Sequence, residues 1–392
     1  MPLILFVRFL LSLLSLAILV AAGYLLWTWY QGDYVIDIYG VRHFFRHDWR
    51  MWTGIALLAW SFGGGGLIVK PFLAKRDKAP SNAARPGGRL IDGANGATLY
   101  VEDEGSRDKP CIILTHGWGL DSTIWNATKQ DLCDRFRVVS WDLPSMGKSK
   151  APTSAVSLDS FAENLAIVIR HTGADRVVLV GHSIGGMTIQ TLARDDLAFV
   201  DAHVAGIVLV NTSYHNPLKT MILSGLAQAL RFPVIEPQMF LTMALWPLAW
   251  LSGWKSYLDG SAHMANRLGF GPCVTQSQLE HVTRLSIRNA PNAQAKGNLA
   301  MFRWEADRAL TAFTGAVLVI AGKVDIVTKP SAGVHIAATI PGAELMVVDK
   351  ANHMGFLERA DIYNPAIAAF ATKLFQDRKD VSEVTLGKVR TF

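Results

Sequence analysis

The 392-residue sequence predicts an α/β fold: a mostly parallel sheet with helices on both faces, a helical cap insertion, and an apolar N-terminal hairpin in front. Three observations predict it. From Cys111 onward, short apolar runs bounded by turn residues alternate with helix-length segments, the alternation that builds parallel sheets buried on both sides. The rhythm is interrupted once, between Thr212 and about Ala300, by a stretch too long for a loop. Two uncharged segments, residues 9–29 and 51–69, stand ahead of the first run.

Residues 9–29 are long enough as a helix to cross the hydrocarbon layer of a bilayer. Tyr24, Trp27, Trp29 and Tyr30 crowd the far end, as amphipathic rings do at a membrane interface. A cleaved signal peptide is the rival reading. Against it, the apolar run exceeds a usual signal core, and Ala21-Ala22-Gly23 leads into aromatics rather than a polar start. Residues 51–69, between Arg50 and Lys70, contain Gly63 to Gly66; glycine is commoner in membrane spans than in soluble helices. That segment reads as a second span or as an amphipathic stretch lying in the interface. Residues 1–74 are thus expected to form a membrane anchor contacting membrane lipids.

With two spans, the basic residues Lys70, Lys75, Arg76, Lys78, Arg85 and Arg89 outnumber Arg42, Arg46 and Arg50 of the connecting loop. The positive-inside rule then puts the large C-terminal part of an integral membrane protein in the cytoplasm; a single span would reverse it. Residues 75–87 read as a linker. The core is expected over 88–212 and 300–377, the cap over 213–299, and a loose tail over 378–392. Residues 89–92 and 97–103 flank Gly-Ala-Asn-Gly as a β-hairpin, and the apolar strands are 111–114, 138–141, 177–180, 207–210, 317–321 and 345–348.

The net charge of +6 is spread thinly, and its clearest cluster sits beside an apolar segment rather than along a folded face, so nucleic acid is not an expected partner. Cys111, Cys133 and Cys273 lack both the even count of a disulfide framework and the spacing of a metal site. No metal or organic cofactor is expected.

The strongest chemical signal is Val177-Val-Leu-Val-Gly-His-Ser-Ile-Gly-Gly-Met. An apolar strand runs into Gly181-His182-Ser183-Ile184-Gly185 and a helical pattern follows, the sharp turn that exposes a serine at a strand tip. A serine hydroxyl needs a base to take its proton, and the base needs a third group to fix its tautomer. Asp325 lies just past strand 317–321, and His353 just past strand 345–348, so all three converge on one sheet edge. Thr115-His116-Gly117-Trp118-Gly119 follows strand 111–114 and offers a donor for the oxyanion. The backbone N–H groups of Trp118 and Ile184 are the expected pair; His116 is expected to be structural.

These segments together resemble the α/β-hydrolase superfamily from about residue 88 to 375, in its capped branch with an HGxG oxyanion loop and a GHSIGG elbow. Trp141-Asp-Leu-Pro-Ser-Met-Gly-Lys-Ser149 resembles the family's D-x-x-G-x-G-x-S turn, and Gly322-Lys-Val-Asp-Ile-Val-Thr-Lys-Pro330 its acid loop. Asp142 is usually structural there, and Ser145 stands where the family most often has glycine. Epoxide hydrolases and haloalkane dehalogenases of this fold carry aspartate at the elbow, which Ser183 argues against. The resemblance implies an esterase- or lipase-like hydrolase working through an acyl-enzyme.

Within the cap, no residue between Glu236 and Lys255 is charged, and Trp246, Trp250 and Trp254 recur at helical spacing, with Pro237 and Pro247 arguing against a third span. This stripe either packs on the core or forms a lid in which Trp246 and Trp250 bind substrate. The expected substrate is a small-molecule or lipid ester. The same three side chains would serve a cofactor-free haloperoxidase or perhydrolase, a carbon–carbon bond hydrolase or an amidase.

Overall fold

In the computed structural model, residues 2–77 and 87–387 are described. Eight strands form one sheet: β3 (Arg89–Asp92), β4 (Thr98–Glu104), β5 (Cys111–Thr115), β6 (Arg137–Trp141), β7 (Val177–His182), β8 (Val204–Val210), β9 (Ala316–Gly322) and β10 (Glu344–Val348). Their order is β10-β9-β8-β7-β5-β6-β4-β3. From β6 to β10 every pairing is parallel; β4 runs antiparallel to β6, and β3 antiparallel to β4. The two remaining described strands, β1 (Asp33–Ile36) and β2 (Arg42–Phe45), pair with each other alone.

Alternation along the strands divides the core between the two faces of the sheet. Ile113, Val139, Leu179 and Leu209 pack on one side with the helix Leu158–Thr172, while Ile112, Val138, Val180 and Ile320 pack on the other with the helix Ala360–Gly387. The expected strands are present: the hairpin strand 89–92 has the bounds read, 97–103 is shifted by one residue, and the six apolar strands are each longer than read by one to three residues. β8 gains most, because Ala205 and Gly206 near its start are weak strand formers; Val204 and Gly206 still pair with β7, Gly206 also pairs with β9, and Ala205 falls at a register shift between them.

The chain leaves β5 towards β6 on one side and returns to β7 on the other. Ligands of open α/β sheets bind beyond the strand carboxyl ends at such a reversal. Between β8 and β9 the insertion forms short helices, among them Ser224–Ala229, Glu236–Ala244, Trp246–Leu258, Ser261–Arg267, Gln276–Arg288 and Pro291–Met301.

The stretches Leu10–Gln31 and Asp48–Leu73 are long and apolar enough to cross a membrane. They pack against one another and are joined through the β1–β2 hairpin. The second is broken at Phe62 and at Gly63, whose φ of 147° only glycine adopts readily, and helix resumes over Gly65–Leu73. Gly65 and Gly66 then lie so close to the cap that an added Cβ would come within 2.6 Å of the Asp259 carbonyl oxygen and 2.5 Å of that of Leu258.

Two expectations meet limits. Most of the expected linker, residues 78–86, lies outside the described residues, as do residues 388–392. Where a loose tail was expected from residue 378, the helix Ala360–Gly387 continues: residues 378–386 contain no glycine or proline to stop it.

Candidate active site

β7 ends in the elbow and the helix Ile184–Asp195 begins immediately after it, leaving Ser183 at φ 53° and ψ −117°. A non-glycine residue held there is strained, and its neighbours hold it. The Ser183 N–H donates to the Val210 carbonyl (3.0 Å), and its own carbonyl accepts from the Thr212 hydroxyl (2.6 Å). Gly185 is required because a Cβ would approach the Thr115 carbonyl oxygen to 2.3 Å.

The structure brings the three expected side chains into series. Ser183 Oγ is 3.0 Å from His353 Nε2, and His353 Nδ1 is 2.9 Å from Asp325 Oδ2. All three are buried. With Nδ1–H donating to the carboxylate, Nε2 is left as the acceptor for the serine proton, the tautomer a general base needs.

Asp325 is the most heavily supported group. Its Oδ2 also accepts from Asn211 Nδ2 (2.9 Å) and Thr328 Oγ1 (2.8 Å), and its Oδ1 from the N–H groups of Val327 (2.7 Å) and Thr328 (2.9 Å). Burial pushes its pKa up, but the His353 ring and these hydrogen bonds outweigh burial and hold it below the usual carboxylate range.

The neighbouring histidines do different work. Burial, reinforced by the His353 ring, pushes the His182 pKa well below its ordinary value, so it is neutral; its Nε2–H donates to the His353 carbonyl (3.0 Å). The His116 Nδ1–H donates to the Gly117 carbonyl (2.8 Å) and its Nε2 accepts the Leu143 N–H (2.9 Å). Both nitrogens of His116 bind backbone, which leaves it structural.

Trp118 lies in the loop after β5, buried, with its indole N–H donating to the Gln294 carbonyl (3.2 Å). Ile184 opens its helix, where backbone N–H groups have no partner within the helix. Asp142 holds its turn by accepting the Ser122 N–H (2.7 Å) and the Lys148 N–H (2.7 Å). Ser145 takes the left-handed conformation expected of a glycine, φ 65°, with its hydroxyl on the Ala151 carbonyl (3.0 Å).

Trp246 and Trp250 are each 43% exposed on the helix Trp246–Leu258, and the Trp250 indole N–H donates to the Ile287 carbonyl within the cap (3.2 Å). Neither hydrogen-bonds the three buried side chains among the described contacts.

Sequence reasoning missed several supports. Asn211, at φ 45°, donates to Asp325 and to the Asn352 carbonyl (3.0 Å) while accepting the Tyr363 hydroxyl (3.1 Å). Asn289, from the cap, donates to the Gly119 carbonyl (2.9 Å) and accepts the Gly147 N–H (3.0 Å). The signal for Asn211 was its place directly after β8, at the same sheet edge as Ser183. Nothing local marks Asn289. Among the described residues no group of His, Cys, Asp and Glu could hold a metal ion.

A family model for the alpha/beta hydrolase fold matches residues 110–360. A bifunctional esterase/perhydrolase of Acinetobacter calcoaceticus is 37% identical over 93 residues, 24% of this chain and 34% of that protein, so the match spans about a third of that relative. A pimeloyl-[acyl-carrier protein] methyl ester esterase of Cronobacter sakazakii is 24% identical over 67% of this chain and 93% of its own length. Among solved structures, an esterase from Rhodococcus sp. ECU1013 superposes with a TM-score of 0.60 at 23% identity, covering 73% of this chain and 99% of that one, which shows the fold. With well over half of its length matched by the family model, the chain belongs to the alpha/beta hydrolase fold family and is a hydrolase with esterase-named relatives.

Proposed function

We propose that the protein hydrolyses a carboxylic ester of a lipid or another lipophilic acid, with Ser183 as nucleophile, His353 as general base and Asp325 as the group that orients it. The observation that carries this reading is the unbroken hydrogen-bonded series from Ser183 Oγ through His353 to Asp325 Oδ2. His353 Nε2 takes the hydroxyl proton as Oγ attacks the carbonyl carbon, and the N–H groups of Trp118 and Ile184 receive the negative oxygen. The protonated imidazole gives its proton to the departing alcohol. Water then attacks the acyl-enzyme, again giving a proton to His353; Ser183 takes that proton back as the acid leaves.

The apolar hairpin supports an integral membrane protein, with the basic residues after Val69 favouring a cytoplasmic catalytic domain. Trp246 and Trp250 are assigned to substrate binding, on the strength of their place in the cap. A second reading, peracid formation with peroxide as the acyl acceptor, uses the same acyl-enzyme and is favoured by one relative's bifunctional esterase/perhydrolase name.

A fluorophosphonate probe should label the detergent-solubilised full chain, with the adduct on Ser183 and none on Ser183→Ala. Labelling that persists in that variant overturns the assignment. A panel of esters of increasing acyl length, with and without peroxide, separates the two acceptors.

A further inference from the structure

Between Lys219 and Lys255 only Arg231 and Glu236 carry charge. They pair with each other at 2.7 Å and are largely buried, so this part of the cap presents almost no net charge at its surface. In the same stretch, Phe232, Phe240, Leu241, Leu248 and Leu251 are each more than half exposed. So many exposed large apolar side chains on two helices in contact, with almost no net charge among them, mark an interaction site.

The contacts between cap and hairpin say what covers it. Ser15 hydrogen-bonds Asp259 and Lys255, which themselves pair at 3.1 Å. Ser15 lies inside the uncharged segment 9–29, about 10 Å along the helix from Arg8 at the helical rise per residue. Gly65 and Gly66, inside the uncharged segment 51–69, meet the backbone of Asp259 and Leu258. The cap therefore grips the hairpin within its apolar segments and not only at their ends. Leu13, Leu14 and Leu16, beside Ser15 on the first helix, are themselves exposed.

We infer that the cap face bearing Phe232, Phe240, Leu241, Leu248 and Leu251 lies in the apolar layer of the bilayer beside the hairpin, covered by membrane lipid. The inference rests on the membrane-anchored ester hydrolase proposed above and adds where that enzyme meets its substrate: the ester reaches the cap from the bilayer. A hairpin crossing the membrane carries the helix Trp246–Leu258 down to the depth of Ser15, and at that depth the exposed leucines contact acyl chains. The Lys255–Asp259 pair fits such a place, because charges at membrane depth occur paired.

The test uses the full chain in phosphatidylcholine–phosphatidylglycerol nanodiscs. Cys133 and Cys273 are replaced by serine; Cys111 is buried, its thiol pKa pushed up to about 12, and is inert to maleimide. Single cysteines at Leu241, Leu248 and Leu251, and a control at the exposed Val347 of β10, carry an environment-sensitive fluorophore. The expected result is that brominated phosphatidylcholine quenches the three cap labels and spares the control, while iodide does the reverse. Cap labels quenched by iodide as strongly as the control overturn the inference. So does shielding from both quenchers with cross-linking between chains, which would make a second copy the occupant. In parallel, the double variant Leu248→Glu, Leu251→Glu should lose about 10-fold in hydrolysis of a long-chain ester embedded in vesicles, the scale of one lost apolar contact, and keep its rate on a soluble short-chain ester. Equal loss on both esters, or on neither, counts against it. If no ester is cleaved and no fluorophosphonate label forms, the hydrolase reading fails while the quenching pattern still decides where the cap sits.

Discussion

Replacing Thr328 by valine tests the electrostatic core of the site with little change of shape. Thr328 is buried, and its hydroxyl makes a 2.8 Å hydrogen bond to Asp325 Oδ2, the oxygen that also holds His353 Nδ1. Valine keeps the β-branched outline and removes only that donor. A hydrogen bond to a charged group contributes about 1.5–3 kcal/mol. Here the carboxylate keeps Asn211 Nδ2 on the same oxygen and two backbone N–H groups on the other, so the loss should fall at about 1–2 kcal/mol. At 1.36 kcal/mol per decade of rate, kcat on a soluble ester should drop about 5- to 30-fold. KM should hardly move, because Thr328 acts on the imidazolium that develops during reaction. The assay is steady-state hydrolysis of a chromogenic ester beside thermal unfolding of the same samples. An unchanged kcat, or a rise in KM with kcat intact, would refute the claim that this hydroxyl supports the carboxylate during turnover.

Other perturbations probe the scaffold. Gly185→Ala forces a Cβ towards the Thr115 carbonyl oxygen; the expected cost is about 1–3 kcal/mol of stability and slowed fluorophosphonate labelling, read by thermal unfolding and labelling kinetics. Asn289→Ala releases the Gly119 carbonyl and the Gly147 N–H, and kcat on a soluble ester should fall about 10-fold as the oxyanion loop loosens. Asp103 makes a two-pronged pair with Arg137, both contacts at 2.8 Å, and this pairing holds its carboxyl below the usual range. A depressed folded-state pKa gives stability that is present above the unfolded value, about 4, and is lost as pH falls through the folded one. The stability gap between the native chain and Asp103→Asn should therefore narrow below about pH 4 in urea titrations, and a constant gap would exclude the linkage.

The parallel sheet was legible because its strands are continuous apolar runs, as buried parallel strands must be, with Asp142 and Asp349 directly after β6 and β10. Ser183, Asp325 and His353 were legible as a set because each follows such a run, and strand ends converge where the sheet order reverses. The β1–β2 hairpin was missed: its strands are exposed and short, and its turn at Gly40 is set between the stronger apolar signals on either side. Asn211 and Asn289 were illegible for a different reason. A side-chain amide reads as a turn residue in any sequence, and its partner across more than a hundred residues is set by tertiary packing alone. Ser145 shows the reverse case. The position was legible from its motif, and the chain meets the glycine-like geometry with a residue that pays conformational strain and regains a hydrogen bond to Ala151.

The cap is bonded to the chemistry as well as placed over it. Asn289 joins the end of the helix Gln276–Arg288 to the Gly119 carbonyl and the Gly147 N–H, and the Gln294 carbonyl holds the Trp118 indole. Gly297, on the next helix, lies so close to that indole that an added Cβ would sit 2.1 Å from it. Any displacement of these cap helices must break those contacts or carry Trp118 and Gly119 with it. The loop proposed to supply an oxyanion donor is therefore held in shape from above, by the cap, and from below, by His116 through Gly117 and Leu143. The cap's other end is fixed to the hairpin through Asp259 and Ser15, so a mechanical path of packed elements runs from the apolar N-terminal helix to the loop beside Ser183.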